Sequence, residues 1–239
     1  MRILDLGCDQ GNFAIQLAQL GAAEVVGVEA RDHVKDAIAR RDSLGLENAQ
    51  FEQEDVRVIT PESHGMFDVV LCLGILYHLD VPDVFQFAEN VARLTNRFAI
   101  IETQIGLSRK RKASYEGREY CGKSYPEDVS MPGASIDNRE SFMPTRASLL
   151  NLLQAVGFST VSEVQIPVIP VLDAWRDHVV LIAVKGAAQS FDPPQSAVWP
   201  ERLPRQAHPA QGLRWRVNER VQRLRGGGLP AIFRGPPAT

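Results

Sequence analysis

The 239-residue sequence has no unbroken apolar run of the roughly 18 residues that a helical membrane span requires, so that class is not expected. Cysteine is scarce: Cys8, Cys72 and Cys121 stand far apart with no C-x-x-C pair, which argues against a disulfide framework and against a metal site. No internal repeat is present, which removes solenoids and propellers. No charged-then-apolar leader precedes the first strand-like segment, so the cytoplasm is the expected compartment. The net charge is only −3, yet it hides an uneven distribution. The first hundred residues are acidic, whereas Arg109, Lys110, Arg111 and Lys112, and later Arg214, Arg216, Arg220, Arg223 and Arg225, are basic. Such runs suit either a solvated surface or an anionic partner.

What is present is the composition of an ordinary globular protein, 44% hydrophobic and 23% charged, long enough for one α/β domain with a substantial core. The organising stretch is residues 2–31, RILDLGCDQGNFAIQLAQLGAAEVVGVEAR. Residues 3–6 are a short apolar strand, Gly7 and Gly11 punctuate a loop, and Phe13, Leu17 and Leu20 follow at helical spacing until Gly21 stops the helix. Residues 25–28 make a second strand that ends at Glu29. Glycines let backbone approach a ligand closely, the helix start offers free amides, and an acid about 20 residues on can accept both hydroxyls of a ribose. The dinucleotide pattern G-x-G-x-x-G is incomplete here, and Asp9 would meet a pyrophosphate with negative charge. A nicotinamide-dependent oxidoreductase is therefore the rival reading, disfavoured by that loop.

DLGCDQG followed by GVEAR resembles the first two motifs of class I S-adenosylmethionine-dependent methyltransferases. The resemblance implies a Rossmann-like, doubly wound, seven-stranded and mostly parallel sheet with an antiparallel edge strand. It also implies S-adenosyl-L-methionine as cofactor, with Asp5 beside the methionine portion, Gly7 and Gly11 beneath it, Glu29 on the ribose and Asp55 at the adenine amino group, Glu54 being the competing choice. Leu73 and Gly74, at the end of the apolar run FDVVLCL, join that cofactor set.

The remaining strands and helices follow from periodicity. Val34, Ala37, Ile38 and Leu44 mark a helix closed by Gly45, with His33 read as a surface residue near its start. Residues 49–52 form a strand, and FDVVLCL at 67–73 reads as the centre of a parallel sheet buried on both faces. Pro82 opens a helix through Phe85, Phe87, Ala88, Val91 and Leu94, and residues 98–101 form the next strand, with Glu102 and Thr103 at its end able to face a substrate. Thr145 caps a helix carrying Leu149, Leu152 and Leu153, and residues 160–164 and 178–184 form a hairpin edge. Residues 106–144 lose periodicity and read as a lid, because long loops inside domains are usually functional. The expected division is a domain over 1–186 and a Pro-, Arg- and Gly-rich tail over 187–239, mobile apart from a short basic helix near Trp215.

Methyl transfer to oxygen or nitrogen needs alignment and removal of a proton. His78 is the candidate base, because an unperturbed imidazole titrates near 6.5 and the residue follows the strand end where α/β sheets place ligands. The alternative is that it only shapes the pocket. Tyr77 and Glu102 complete the catalytic candidates. GILYHL and NRESFMPTRASLLNLLQAVGF are similar to the bacterial tRNA wobble-uridine carboxymethyltransferase group, although the N-terminal region of those enzymes is missing from this sequence. In that group the cofactor is carboxylated; Arg118, Arg139 and Arg146 are the arginines available to pair such a carboxylate, and Asn138, Ser141, Phe142 and Thr145 are carried over as acceptor-side residues. No N-P-P-Y loop is present, and an oxygen of a small-molecule acceptor is expected ahead of tRNA. A cofactor-binding module without turnover is the third reading.

Overall fold

The structure is a computed structural model that describes residues 1–131, 133–164 and 177–187. The expected mobile tail and its basic helix therefore lie outside the described residues. The order is β1 (Arg2–Leu6), α1 (Asn12–Gln19), β2 (Glu24–Glu29), α2 (Val34–Leu44), β3 (Ala49–Gln53), α3 (Pro61–His64), β4 (Phe67–Leu73), α4 (Asp83–Leu94) and β5 (Thr95–Gln104). It continues through β6 (Arg111–Tyr115), β7 (Arg118–Pro126), β8 (Glu140–Pro144), α5 (Arg146–Ala155), β9 (Thr160–Glu163) and β10 (His178–Val184).

Seven strands form one sheet in the order β3-β2-β1-β4-β5-β10-β9, with β4 at its middle. The first five are parallel neighbours, and β10 runs antiparallel to both β5 and β9. That arrangement is the expected Rossmann-like, doubly wound fold. FDVVLCL explains the two-sided burial: Val70 and Cys72 join a core shared with α4 and α5, while Val69 and Leu71 join the core under α1 and α2. The order in which successive strands are added reverses between the parallel strands β1 and β4, where Leu6 pairs with Cys72, so a crevice opens beyond their carboxyl ends. Among the described residues no helix is long and apolar enough to cross a membrane.

Two expectations are corrected. In α1 the buried residues are Ala14, Ile15 and Ala18, whereas Phe13 and Leu20 are exposed. The start of the helix packs closely, since a Cβ on Gly11 would stand 2.8 Å from both Ala37 Cβ and Phe51, and the buried face is carried by two alanines and Ile15. The 106–144 segment is not irregular either, because β6, β7 and β8 form a separate antiparallel sheet. Its first hairpin turns at Glu116 and Gly117, both with positive φ, the geometry that matches strand twist. This sheet is anchored on α4 by Phe85, whose ring centroid lies 5.1 Å from those of Tyr115 and Tyr120 and 5.9 Å from that of Phe142.

Candidate active site

A cleft of about 390 Å³ opens at the switch point between β1 and β4, a size that suits a small ligand. It gathers Gly7, Glu29, Asp55, Leu73, Gly74 and His78 from the sequence-derived set. Asp5, Gly11, Tyr77 and Glu102 do not line it. Gly11 serves instead as the close-packing point of α1 against Ala37 and Phe51.

On one side the turn after β1 is built for close approach. Gly7 sits at φ +70°, its amide donates to Val28 O at 2.8 Å, and an added Cβ would lie 2.2 Å from Ile75 Cδ1, so a side chain here would both strain the backbone and displace Ile75. Glu29 is buried, and its carboxylate accepts from the Asp9 amide at 3.1 Å and the Arg31 amide at 2.8 Å. Two backbone donors fix its orientation, and lone pairs remain for ligand hydroxyls. Asp5 is buried at the end of β1, and its Oδ2 has no partner. Burial pushes its carboxyl up to about 7; the Glu29 charge adds to this and the Ala14 amide opposes it. An orphaned buried acid next to a glycine turn fits a cationic group. Asp9, at φ 49°, pairs with His33 at 2.7 Å; His33 lines the cleft and is not merely a surface residue.

Asp55 caps the turn after β3 by accepting from the Arg57 amide at 2.9 Å. Burial works against its charge, but the hydrogen bonds from Arg57 hold its carboxyl below the usual carboxylate range. Arg57 also bonds Asp83 at 2.9 Å and Asp137 at 2.8 Å, tying the 133–137 loop to the cleft floor. Glu54, the competing acid, turns away toward His64, 3.7 Å distant.

On the other side His78 ends a 3-10 turn after β4, with its ring 4.2 Å from that of Tyr77. Its Nδ1 lies 3.0 Å from Glu127 Oε1, and its carbonyl accepts from Asn138 at 3.1 Å. Tyr77 and Glu102 come together behind Gly74, where an added Cβ would be 3.6 Å from Tyr77 Oη and 3.8 Å from Glu102 Oε2. Burial, with the Glu102 and Glu127 charges, pushes the Tyr77 phenol up to about 12, so it remains a donor. Burial also raises Glu102, against the pull of His178. Burial pushes the Cys8 and Cys72 thiols up, which makes both poor nucleophiles.

Several expectations fall away. Thr103 is fully buried and cannot face a substrate. Of the acceptor-side set only Asn138 reaches the site; Ser141 and Phe142 are buried and Thr145 caps α5. Arg118 lines another cavity, Arg139 does not line the cleft and Arg146 pairs with Glu163, so the arginines at the cleft are Arg31 and Arg57. Of the residues not foreseen, Arg57 stood two places after Asp55 and was within reach of a sequence argument. Glu127 and Asp137 carried no local signal, because their contacts span 49 and 80 residues.

The family described as "Methyltransferase domain" matches residues 1–136. The ubiquinone biosynthesis O-methyltransferase of Paracidovorax citrulli is 29% identical over 160 residues, covering 65% of this chain and 66% of the relative. The O-antigen chain terminator bifunctional methyltransferase/kinase WbdD of Escherichia coli is 31% identical over 133 residues, 54% of this chain and 17% of the relative. The chain thus spans less than two thirds of the length of these curated relatives. The crystal structure of the N-terminal domain of EvdMO1 with SAH bound superposes with a TM-score of 0.64 at 25% identity, covering 79% of this chain and 75% of that one. An S-adenosylmethionine-dependent methyltransferase from Mesorhizobium loti shares the fold, at TM-score 0.54 and 22% identity over 77% of this chain and 90% of that one.

Proposed function

The chain belongs to the methyltransferase-domain family, and we propose that it transfers the methyl group of S-adenosylmethionine to an oxygen of a small-molecule acceptor, with His78 as general base. The observation that carries this reading is one cleft with a buried, doubly hydrogen-bonded Glu29 on one side and a carboxylate-held imidazole on the other. The relative from Paracidovorax citrulli, an O-methyltransferase by name, supports oxygen as the acceptor atom.

When bound, the cofactor supplies a sulfonium methyl whose carbon–sulfur bond breaks, its electron pair going to sulfur, as the acceptor oxygen forms the new bond. The residues of this chain do the rest. Asp5, buried outside the cleft lining and without a partner at Oδ2, would favour the ammonium of the methionine portion through its charge, while Glu29 would hold the ribose hydroxyls and Asp55 the adenine amino group. Leu73 and Gly74, which line the cleft near His78, would border the cofactor, and His78 would take the hydroxyl proton. Tyr77, kept protonated, and Glu102 stand behind Gly74 rather than in the cleft lining, and Glu102 is the next acid to test should His78 not be the base.

The wobble-uridine likeness in GILYHL would call for a carboxylated cofactor. Arg57 already bonds three carboxylates and Arg31 bonds the Ala134 carbonyl, so the plain cofactor suits the cleft better. The test is incubation with methyl-labelled S-adenosylmethionine and a panel of hydroxylated acceptors. Labelled ether or ester product is expected, and His78→Ala should lower turnover about 10²- to 10⁴-fold with cofactor affinity retained. Undiminished turnover in that variant would move the base elsewhere, and cofactor binding without turnover on any acceptor would leave a binding module.

A further inference from the structure

The contact that the cofactor and acceptor roles leave unexplained is the one made by Glu127. It lies just past β7, 49 residues from His78 in sequence, yet its side chain is only 2% exposed and Oε1 is 3.0 Å from His78 Nδ1. The other carboxylate oxygen accepts from the Ser135 amide at 3.2 Å, and the Glu127 amide donates to Arg139 O at 2.9 Å. A carboxylate taken out of water needs hydrogen-bond donors, and here they are the imidazole and one backbone amide. An ionised carboxylate only accepts, so the contact calls for the imidazole proton on Nδ1. The lone pair then belongs to Nε2, and the imidazole is otherwise confined by Tyr77, whose ring centroid is 4.2 Å away.

We infer that Glu127 is the positioning residue of this site: it holds the Nδ1–H of His78 and so presents Nε2 to the acceptor. The inference rests on the reading of His78 as base. It also gives the 133–137 loop a role, because Ser135 fixes Glu127 while Gly133, Ala134, Ile136 and Asp137 line the cleft. The hydrogen bond made at one ring nitrogen decides which nitrogen carries the proton, so a carboxylate at Nδ1 selects the tautomer.

The experiment is ¹⁵N NMR of the full chain labelled at histidine, saturated with SAH at pH 8, with His78→Gln used to identify the His78 signals. The expected result is a protonated Nδ1 and an unprotonated Nε2 in the unchanged protein. In Glu127→Gln the side-chain amide can donate to Nδ1, so the proton should shift to Nε2, in whole or in part, with SAH affinity kept within about twofold. Three results would overturn the assignment: Nε2 protonated in the unchanged protein, an unaltered tautomer in Glu127→Gln, or a tenfold or greater loss of SAH affinity. The unchanged protein's spectrum decides the first point even if the variant fails to fold, and Glu127→Asp, which keeps the charge but shortens the reach, replaces it for the second. Because the spectra do not depend on turnover, full activity of His78→Ala would remove the base reading without touching the tautomer result.

Discussion

At the scale of single residues, the two acids of the cofactor side behave oppositely because their surroundings differ. Glu29 is held by the amides of Asp9 and Arg31, whereas Asp5 is buried with an oxygen left bare. Replacing Glu29 by alanine should weaken adenosylmethionine binding by about 1–3 kcal/mol, roughly 5- to 150-fold, measured by calorimetry. An unchanged affinity would remove Glu29 from the ribose. Asp5 makes a pH-dependent prediction. Its folded value, about 7, lies above the ordinary carboxyl value of 3.8, so its contribution to the stability of the ligand-free protein is complete below about pH 4 and is lost as pH rises to about 7. Asp5→Asn should flatten that slope and exceed the natural protein in stability above pH 7. Cofactor binding works in the opposite sense, since an ammonium favours the carboxylate form. Affinity should therefore rise with pH up to about 7, with proton release on binding at pH 6, and neither effect should survive in Asp5→Asn. Calorimetry in buffers of different ionisation heats reads the released proton directly.

At the scale of elements, the notable piece is the sheet of β6, β7 and β8. β6 and β7 alternate in burial weakly, with only Tyr120 and Gly122 inward on β7, and β8 is buried over a continuous run after Glu140, so no period-2 pattern marks 106–144. Gly122 faces the next strand so closely that a Cβ would stand 2.4 Å from Met143 O, and the sheet meets the main core through Phe85. The Glu116-Gly117 turn was the one local sign of a hairpin. Phe85→Ala should cost about 3–5 kcal/mol in denaturant unfolding. It should also speed amide exchange in β7 more than in β1, because the lost ring packs directly on Tyr115, Tyr120 and Phe142 of the small sheet. Equal acceleration in both strands would mean that the small sheet does not depend on this anchor.

At the scale of the molecule, the site is distributed over segments remote in sequence. The cofactor side comes from the β1 and β2 ends, the acceptor side from the turn after β4, and the cover from the loop between β7 and β8. A ligand that bridges these parts stabilises the folded state as a whole. SAH at 100 times its dissociation constant should add about 2.7 kcal/mol, raising the melting temperature by roughly 5–10 °C for a domain of this size. Thermal unfolding with SAH and, separately, with NAD checks this. A shift with NAD equal to that with SAH would favour the oxidoreductase reading.

Much of this was determined by the sequence alone, because local chemistry carried it. Strand periodicity, the glycines at 7 and 11, Gly21 and Gly45 as helix stops, Pro82 and Thr145 at helix starts, and the two-sided burial of FDVVLCL all act within a few residues. So did the positions of Glu29, Asp55 and His78 at strand ends, since a parallel sheet delivers its carboxyl ends to one edge. What only the tertiary structure decided are the contacts that close long loops: Arg57 with Asp137, Glu127 with His78, and Phe85 with Tyr120. It also decided that Ala14 and Ala18, not Phe13 and Leu20, face the sheet. Periodicity names an apolar stripe, but how closely a helix approaches depends on Ala37 and Phe51 across the gap, residues that the helix's own sequence does not contain.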